Sequence, residues 1–316
     1  MSQNVAIGVD IGGTKVAAGI VGGDGRILRK ARVPMVATGG EEQGLEAVAY
    51  AIQELLPHIL EETVRGIGIC SPGPLDPRSG VIINPPNVPC WRNFPLAARV
   101  RERFAVPVKV DNDANAAGLA EVLWGAARGY HNVFYATIGT GIGSGIILDG
   151  KILHGRTGAA GEAGHMGIDI SGPRCPCGKK GCIEVLASGP AIGRRARQKL
   201  ASCKSSKMLE LAGGDPQAVN GEIVNRAVQL GDPVAREVIE ETLDLLAYWL
   251  GNVIDYQEPD IIVMGGGVST TLAPYLEEIR KRWIGNIVNP WPEKVPLVLA
   301  RYGEEAGIAG AAALCE

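Results

Sequence analysis

The chain has no long apolar run. No stretch approaches the ~20 consecutive apolar residues that a bilayer-crossing helix needs, which excludes a helical membrane protein. It also has no surplus of positive charge: Lys+Arg number 31 against Asp+Glu 34, a net charge of −3. A sequence-independent nucleic-acid binder would show a basic face or tract, so that class is excluded as well. The start of the chain has no charged-then-apolar export pattern; polar Met1–Asn4 runs straight into Val5-Ala6-Ile7-Gly8-Val9-Asp10, and a cytoplasmic location is expected. Disorder is excluded by 46% hydrophobic against 21% charged residues over 316 positions, a length that suits two domains. Glycine, by contrast, is abundant at 44 residues, roughly twice average usage, without a collagen period. Lacking a Cβ, it marks tight turns and close approaches of backbone to ligand.

Strands and helices alternate along the chain, which predicts α/β layers. Val5–Asp10, Val16–Val21 and Ile27–Val33 read as three strands in succession, and Gly44–Thr63 as a helix with Leu45, Val48, Ala49, Ile52, Leu55 and Leu56 on one side. Val64–Cys70 and Val106–Val110 are strands flanking a short helix at Leu96–Phe104. Later come strands Val133–Ile138 and Ile146–Leu148 around a glycine-rich turn at Gly139–Gly145. A long helix is expected at Pro233–Ile254 and a strand at Asp260–Met264. A helix at Leu272–Trp283, a strand at Val295–Ala300 and a closing Ala-rich helix at Glu304–Leu314 complete the chain. Each half opens with strand, glycine turn, strand, so the expectation is a duplicated α/β fold with a cleft between the copies. The boundaries expected are 1–112 for a smaller first domain and 113–302 for a larger second one, the closing helix at about 303–316 returning to the first. Residues 200–232 are polar, lack strand signals and read as a helical insertion.

Three glycine clusters are candidates for a nucleotide. Asp10-Ile11-Gly12-Gly13-Thr14-Lys15 lies at a strand-to-strand turn, where bare N–H groups, the Thr14 hydroxyl and the Lys15 charge can face an anion and Asp10 can hold Mg²⁺ through water. A plain hairpin with a surface lysine is the other possibility. It is not a Walker loop, because a strand follows and Thr14 precedes Lys15. In the second cluster, Gly139, Thr140, Gly141, Gly143 and Gly145 carry more glycine than a hairpin needs. Two such turns at equivalent places suit a polyphosphate clamped from both sides. Gly265-Gly266-Gly267 ends a strand and opens a helix; it is either punctuation or bare backbone for a flat nucleobase at the carboxyl edge of the sheet.

Asp111-Asn112-Asp113-Ala114-Asn115 also follows a strand and opens a helix. One Asx residue is explained as a helix cap, but four in five positions are not. A carboxylate beside a carboxamide can orient a polyol and accept a hydroxyl proton, which is most of what phosphoryl transfer to an alcohol asks of a protein. Further on, Gly161-Glu162-Ala163-Gly164-His165 precedes Cys175-Pro-Cys177-Gly-Lys-Lys-Gly-Cys182-Ile-Glu184. His165, Cys175, Cys177 and Cys182 make the Cys₃His set of a structural zinc site. Cys70, Cys90, Cys203 and Cys315 are isolated, and His58, His131 and His154 read as surface or packing residues.

Together these segments resemble the ROK family of bacterial sugar kinases and related repressors, from Asp10–Lys15 through Gly161–Glu184 to Gly265–Val268. The resemblance implies an actin-like (ribonuclease-H-like) two-domain fold that closes on ATP, with Mg²⁺, and a hexose. It implies Asp113 as general base, with Gly73, Asn87, Asn112, Glu162, His165 and Glu184 on the sugar hydroxyls. His165 would touch the sugar with its ring nitrogen not on zinc. The implied reaction is phosphorylation of glucose at its 6-hydroxyl, at the entry to glycolysis. N-acetylglucosamine, N-acetylmannosamine or fructose are the alternatives, and a homodimer or tetramer is implied. A sugar-responsive repressor is disfavoured, because the first kinase strand at Val5 leaves no room before it for a helix-turn-helix.

Overall fold

In the computed structural model, which describes residues 4–59, 63–203 and 205–316, the chain opens on β1 (Asn4–Ile11), β2 (Lys15–Gly22) and β3 (Ile27–Pro34). α1 (Glu41–Gln53), β4 (Thr63–Ser71), the short pair β5 (Leu75–Asp76) and β6 (Val81–Ile82), α2 (Leu96–Phe104), β7 (Val108–Asn112) and α3 (Asp113–Leu123) follow. The first sheet has the order β3-β2-β1-β4-β7. β1, β2 and β3 pair antiparallel, while β4 and β7 join in parallel.

Strand alternation decides what each face of this sheet packs against. Val5, Ile7, Val9 and Ile11 point into a core of large side chains with Leu45, Val48 and Ile52 of α1 and Leu96 and Val100 of α2. Trp91 and Phe94 stack there with centroids 5.2 Å apart. On the opposite face the strands offer small residues, and the Ala-rich last helix lies almost on the backbone. A Cβ at Gly8 would stand 2.0 Å from the Ile308 carbonyl oxygen, and one at Gly68 1.6 Å from that of Ala311. No other residue fits at either place.

The chain continues with β8 (Val133–Ile138), β9 (Ile142–Leu148), β10 (Lys151–Ile152), α4 (Ile183–Ala187), α5 (Gly189–Leu200), α6 (Lys207–Leu211), α7 (Gly221–Gln229) and α8 (Pro233–Gln257). It ends with β11 (Ile261–Gly265), α9 (Gly267–Thr271), α10 (Leu276–Trp283), β12 (Leu297–Leu299) and α11 (Ala306–Ala313). The second sheet has the order β10-β9-β8-β11-β12, the same sequence of third, second, first, fourth and fifth strand as the first sheet. α8 starts where Asp232 accepts the Ala235 N–H (2.8 Å) and Pro233 occupies the first turn, a helix-start pattern readable in sequence.

Contacts divide the chain into one unit of Met1–Tyr135, Gly145–Gly161 and Ala300–Glu316, and another of Ala136–Ser144 and Glu162–Leu299. The division differs from the one expected after residue 112, because α3 packs on α11 and stays with the first unit.

Four local expectations need correction. The helix expected over Gly44–Thr63 ends at Gln53, and a 3-10 turn at Leu56–His58 follows. Pro57 has no N–H to give to the Gln53 carbonyl, so the α ladder cannot continue past it; residues 60–62 of that expectation lie outside the described residues. The helix expected at Leu272–Trp283 begins only at Leu276, after a 3-10 turn at Ala273–Tyr275 in which Pro274 has no N–H to give a ladder. The turn expected over Gly139–Gly145 is shorter, since Ile142 already begins β9 and Gly143 and Gly145 are strand residues. Gly145 is needed for packing: a Cβ there would lie 2.6 Å from the Ala114 carbonyl oxygen. Finally, His154 is not a solitary packing residue; its partner is described below.

Candidate active site and metal centre

In the first unit, the ends of β1, β4 and β7 carry the polar residues. Asp10 is half-buried at the end of β1, where Cys70 Sγ donates to its Oδ1 (3.5 Å). Burial holds its carboxyl above the usual range, against the opposing influence of that thiol and of Lys15. The turn between β1 and β2 is closed by the Gly12 N–H on the Lys15 carbonyl (2.9 Å), so the Gly12 amide, expected to face an anion, is spent on the turn. Thr14 and Lys15 are exposed. Asn87 sits against this turn: a Cβ on Gly13 would lie 2.7 Å from its carbonyl oxygen. The structure thus brings a residue expected on the sugar beside a turn expected on phosphate. Gly73 lies near Asn112, an added Cβ falling 3.9 Å from Asn112 Nδ2.

Asn112 caps α3, its Oδ1 accepting the N–H groups of Ala114 (2.9 Å) and Asn115 (3.4 Å). Asp113 is the first residue of that helix and is exposed, with Oδ1 accepting the Ala114 N–H (2.8 Å). Behind it, Asp111 is 3% exposed and its Oδ2 lies 2.6 Å from His154 Nε2. The hydrogen bond to Asp111, outweighing desolvation and the repulsion of Arg78, raises the His154 pKa. A raised histidine stabilises the fold fully below its unfolded value of about 6.5, and that contribution is lost as pH rises through the folded value. The difference in unfolding free energy between the wild type and His154→Ala is therefore expected to be largest near pH 5.5 and to shrink toward pH 9. Denaturant titrations across that range measure it, and a gap that widened with pH would contradict the pairing.

In the second unit, Gly139–Gly141 turns β8 into β9. The Gly139 N–H donates to the Gly141 carbonyl, and its own carbonyl accepts the Gly189 N–H at the start of α5 (both 2.9 Å). Glu184 of α4 braces the turn, Oε2 accepting the Ile142 N–H (3.0 Å) with no room for a Cβ at Gly141. Glu162 is exposed. The 3-10 turn Ala163–His165 that follows is fixed by the Ala163 N–H on Ser144 Oγ (3.1 Å) and by Trp249 Nε1 of α8 on the Ala163 carbonyl (3.1 Å).

His165, Cys175, Cys177 and Cys182 converge, their donor atoms all within 4.8 Å of one another. His165 Nδ1 is 3.5 Å from Cys175 Sγ, and the Sγ atoms of Cys177 and Cys182 are 3.7 Å apart. Tetrahedral zinc with Zn–S near 2.3 Å and Zn–N near 2.05 Å has edges of about 3.8 Å between two sulfurs and about 3.5 Å between sulfur and nitrogen. The donor set fits that ion. Burial, followed by hydrogen bonds with the neighbouring thiols, pushes the Cys182 thiol up to about 12, a pattern that a bound cation reverses.

A cavity of about 460 Å³ opens in the second unit among Gly139, Gly189, Gly193, Asn220, Gly267 and Leu272, within the size range of small-molecule sites. Gly266, at φ +86, is pressed against the Ile138 backbone, and Gly267 begins α9 on the cavity wall. Sequence reasoning reached Gly139, Thr140 and Gly267 of this lining but missed α5 and the Asn220–Glu222 segment. Gly189 and Gly193, one helical turn apart, were the available signal.

The chain matches the ROK family over residues 6–316. It is 34% identical over 308 residues to a glucokinase of Thermotoga maritima, covering 98% of this chain and 96% of that one. A ROK family glucokinase from Streptomyces griseus, solved in complex with glucose and AMPPNP, is 35% identical with a TM-score of 0.82, over 98% of this chain and 99% of that one. An N-acetylmannosamine kinase of Salmonella typhi is 30% identical over 317 residues, 98% of each chain. The two five-stranded sheets of like order are the actin-like, ribonuclease-H-like arrangement expected from the sequence.

Proposed function

The chain belongs to the ROK family, and from that premise we propose that it is an ATP-dependent hexose kinase that phosphorylates glucose at its 6-hydroxyl. The observation that carries this reading is the exposed Asp113 carboxylate at the head of α3, beside the Asn112 cap, in a chain similar over its whole length to glucokinases. Asp113 takes the proton of the attacking hydroxyl as its oxygen bonds to the γ-phosphorus; the bond from phosphorus to the β,γ-bridging oxygen breaks and ADP leaves. Gly73, Asn87, Asn112, Glu162, His165 and Glu184 hold the sugar hydroxyls. Thr14, Lys15, Thr140 and the glycines Gly13, Gly141 and Gly143 serve the phosphates, with Asp10 on the side where Mg²⁺ would neutralise charge. Gly265, Gly266 and Gly267 serve the adenosine in the cavity of the second unit. His165, Cys175, Cys177 and Cys182 would hold a zinc ion, which would fix the Glu162–His165 turn and leave His165 Nε2 for the sugar. Among the described residues no helix is long and apolar enough to cross a membrane, which suits our proposal of a cytoplasmic enzyme of carbohydrate metabolism. A homodimer or tetramer is part of the same reading.

A second substrate, N-acetylmannosamine, is supported by the similarity to the Salmonella kinase. A coupled ADP-release assay over hexoses and N-acetylhexosamines separates the two. Glucose should give the highest kcat/KM; preference for an N-acetylhexosamine or for fructose would overturn the assignment. The adenosine reading has its own test. A Cβ added at Gly267, on the cavity wall, meets nothing within 4 Å, so a larger residue can start from there without a backbone clash. Gly267→Leu is expected to raise KM for ATP about tenfold or more while KM for glucose stays unchanged, measured by steady-state kinetics.

A further inference from the structure

The pair behind Asp113, a buried Asp111 and a partly exposed His154, has no place in the roles above. Asp111 Oδ1 accepts the N–H of Asn112 (2.7 Å) and Nδ2 of Asn115 (3.0 Å), while Oδ2 faces His154 Nε2 at 2.6 Å. Asn115 is itself buried and its Oδ1 has no hydrogen-bond partner among the described residues, so the bond to Asp111 is what fixes its amide. Asn112 in turn caps the two N–H groups that follow Asp113. The residues on both sides of Asp113, Asn112 directly and the first turn of α3 through the Asn112 cap and the Asn115 amide, are thus linked to one buried carboxylate, and His154 Nε2 is its hydrogen-bond partner, an ion pair when the imidazole is protonated. The backbone that carries the imidazole is held in turn: the Ala160 N–H donates to the His154 carbonyl (3.3 Å), and the Arg78 guanidinium donates to the carbonyl of Gly155 (3.3 Å).

We propose that His154 is a positioning residue for phosphoryl transfer, acting through Asp111 to hold Asp113 in the orientation in which it accepts the hydroxyl proton. The proposal rests on the reading of Asp113 as base. Removing the imidazole leaves a carboxylate buried without its cation, a state that relaxes by moving toward water or by taking up a proton. Either change loosens the Asn112 N–H and the Asn115 amide, and with them the first turn of α3. A general base displaced by about 1 Å can cost ~10²-fold in rate, while every proposed binding group except Asn112 lies on another segment and keeps its place. The loss should therefore fall on kcat.

The test is steady-state kinetics with glucose and ATP on the wild type, His154→Ala, His154→Arg, Asp113→Asn and, as a surface control, His58→Ala, with melting temperatures for each. His154→Ala should lose about 10–100-fold in kcat with KM for ATP within about twofold and KM for glucose rising by much less than kcat falls, well below its melting temperature. His154→Arg, which restores a cation and donors to Asp111, should recover most of that loss, and His58→Ala should match the wild type. If His154→Ala does not fold, His154→Gln, which keeps a donor without charge, carries the same expectation. A kcat within about twofold of wild type for the folded variant, alongside an inactive Asp113→Asn, would overturn the positioning role alone. An active Asp113→Asn would instead remove the base assignment, and the positioning role falls with it.

Discussion

Asp113→Asn is expected to lower kcat by about 10²–10⁴-fold, with hexose binding still measurable. Asparagine keeps the shape of the side chain and one acceptor oxygen, and the cap that starts α3 belongs to Asn112, so the helix should form unchanged. What is lost is the capacity to take a proton. Rapid-mix kinetics at saturating ATP and glucose, together with direct titration of glucose binding, separate the two effects. A variant with half the wild-type turnover would take Asp113 out of that role.

The second large effect is expected from the thiolate cluster. Cys182 is fully buried, opens α4 and so precedes the Glu184 that braces the glycine turn. Replacing it by serine removes one of four ligands from a site whose affinity in small zinc domains is worth about 10–16 kcal/mol. Cys182→Ser should fall from about one zinc per chain to little or none after dialysis against a chelator. Its KM for glucose should rise tenfold or more, because the loop carrying Glu162 and His165 loses its anchor. Elemental analysis with parallel kinetics reads both quantities. Fully active wild-type protein without stoichiometric metal would contradict the assignment.

These two sites were also the ones most legible in the sequence, and for the same reason. The Cys₃His set and the Asx-rich head of α3 are each made by a short stretch of chain, so residue type and spacing carry nearly all the information. The three opening strands were legible because Val5, Ile7, Val9 and Ile11 alternate toward one core. The His154–Asp111 pair was not, since its members are 43 residues apart and a lone histidine looks the same with or without a partner. The second-unit cavity was half seen: its glycine turns stand out, but α5 and Asn220–Glu222 reach it only through tertiary packing. The early end of α1 was missed because apolar Leu55 and Leu56 continue the helical pattern after the chain has turned toward Pro57.

The central claim is transfer of the γ-phosphoryl group to a hexose 6-hydroxyl with Asp113 as base, and phosphorus NMR of a mixture of protein, ATP, Mg²⁺ and glucose tests it most directly. The account predicts a single new monoester resonance coupled to the two C6 protons, growing one for one with ADP, and absent on the same timescale with Asp113→Asn. ADP appearing with free phosphate alone, or phosphate on another carbon of the sugar, would contradict it.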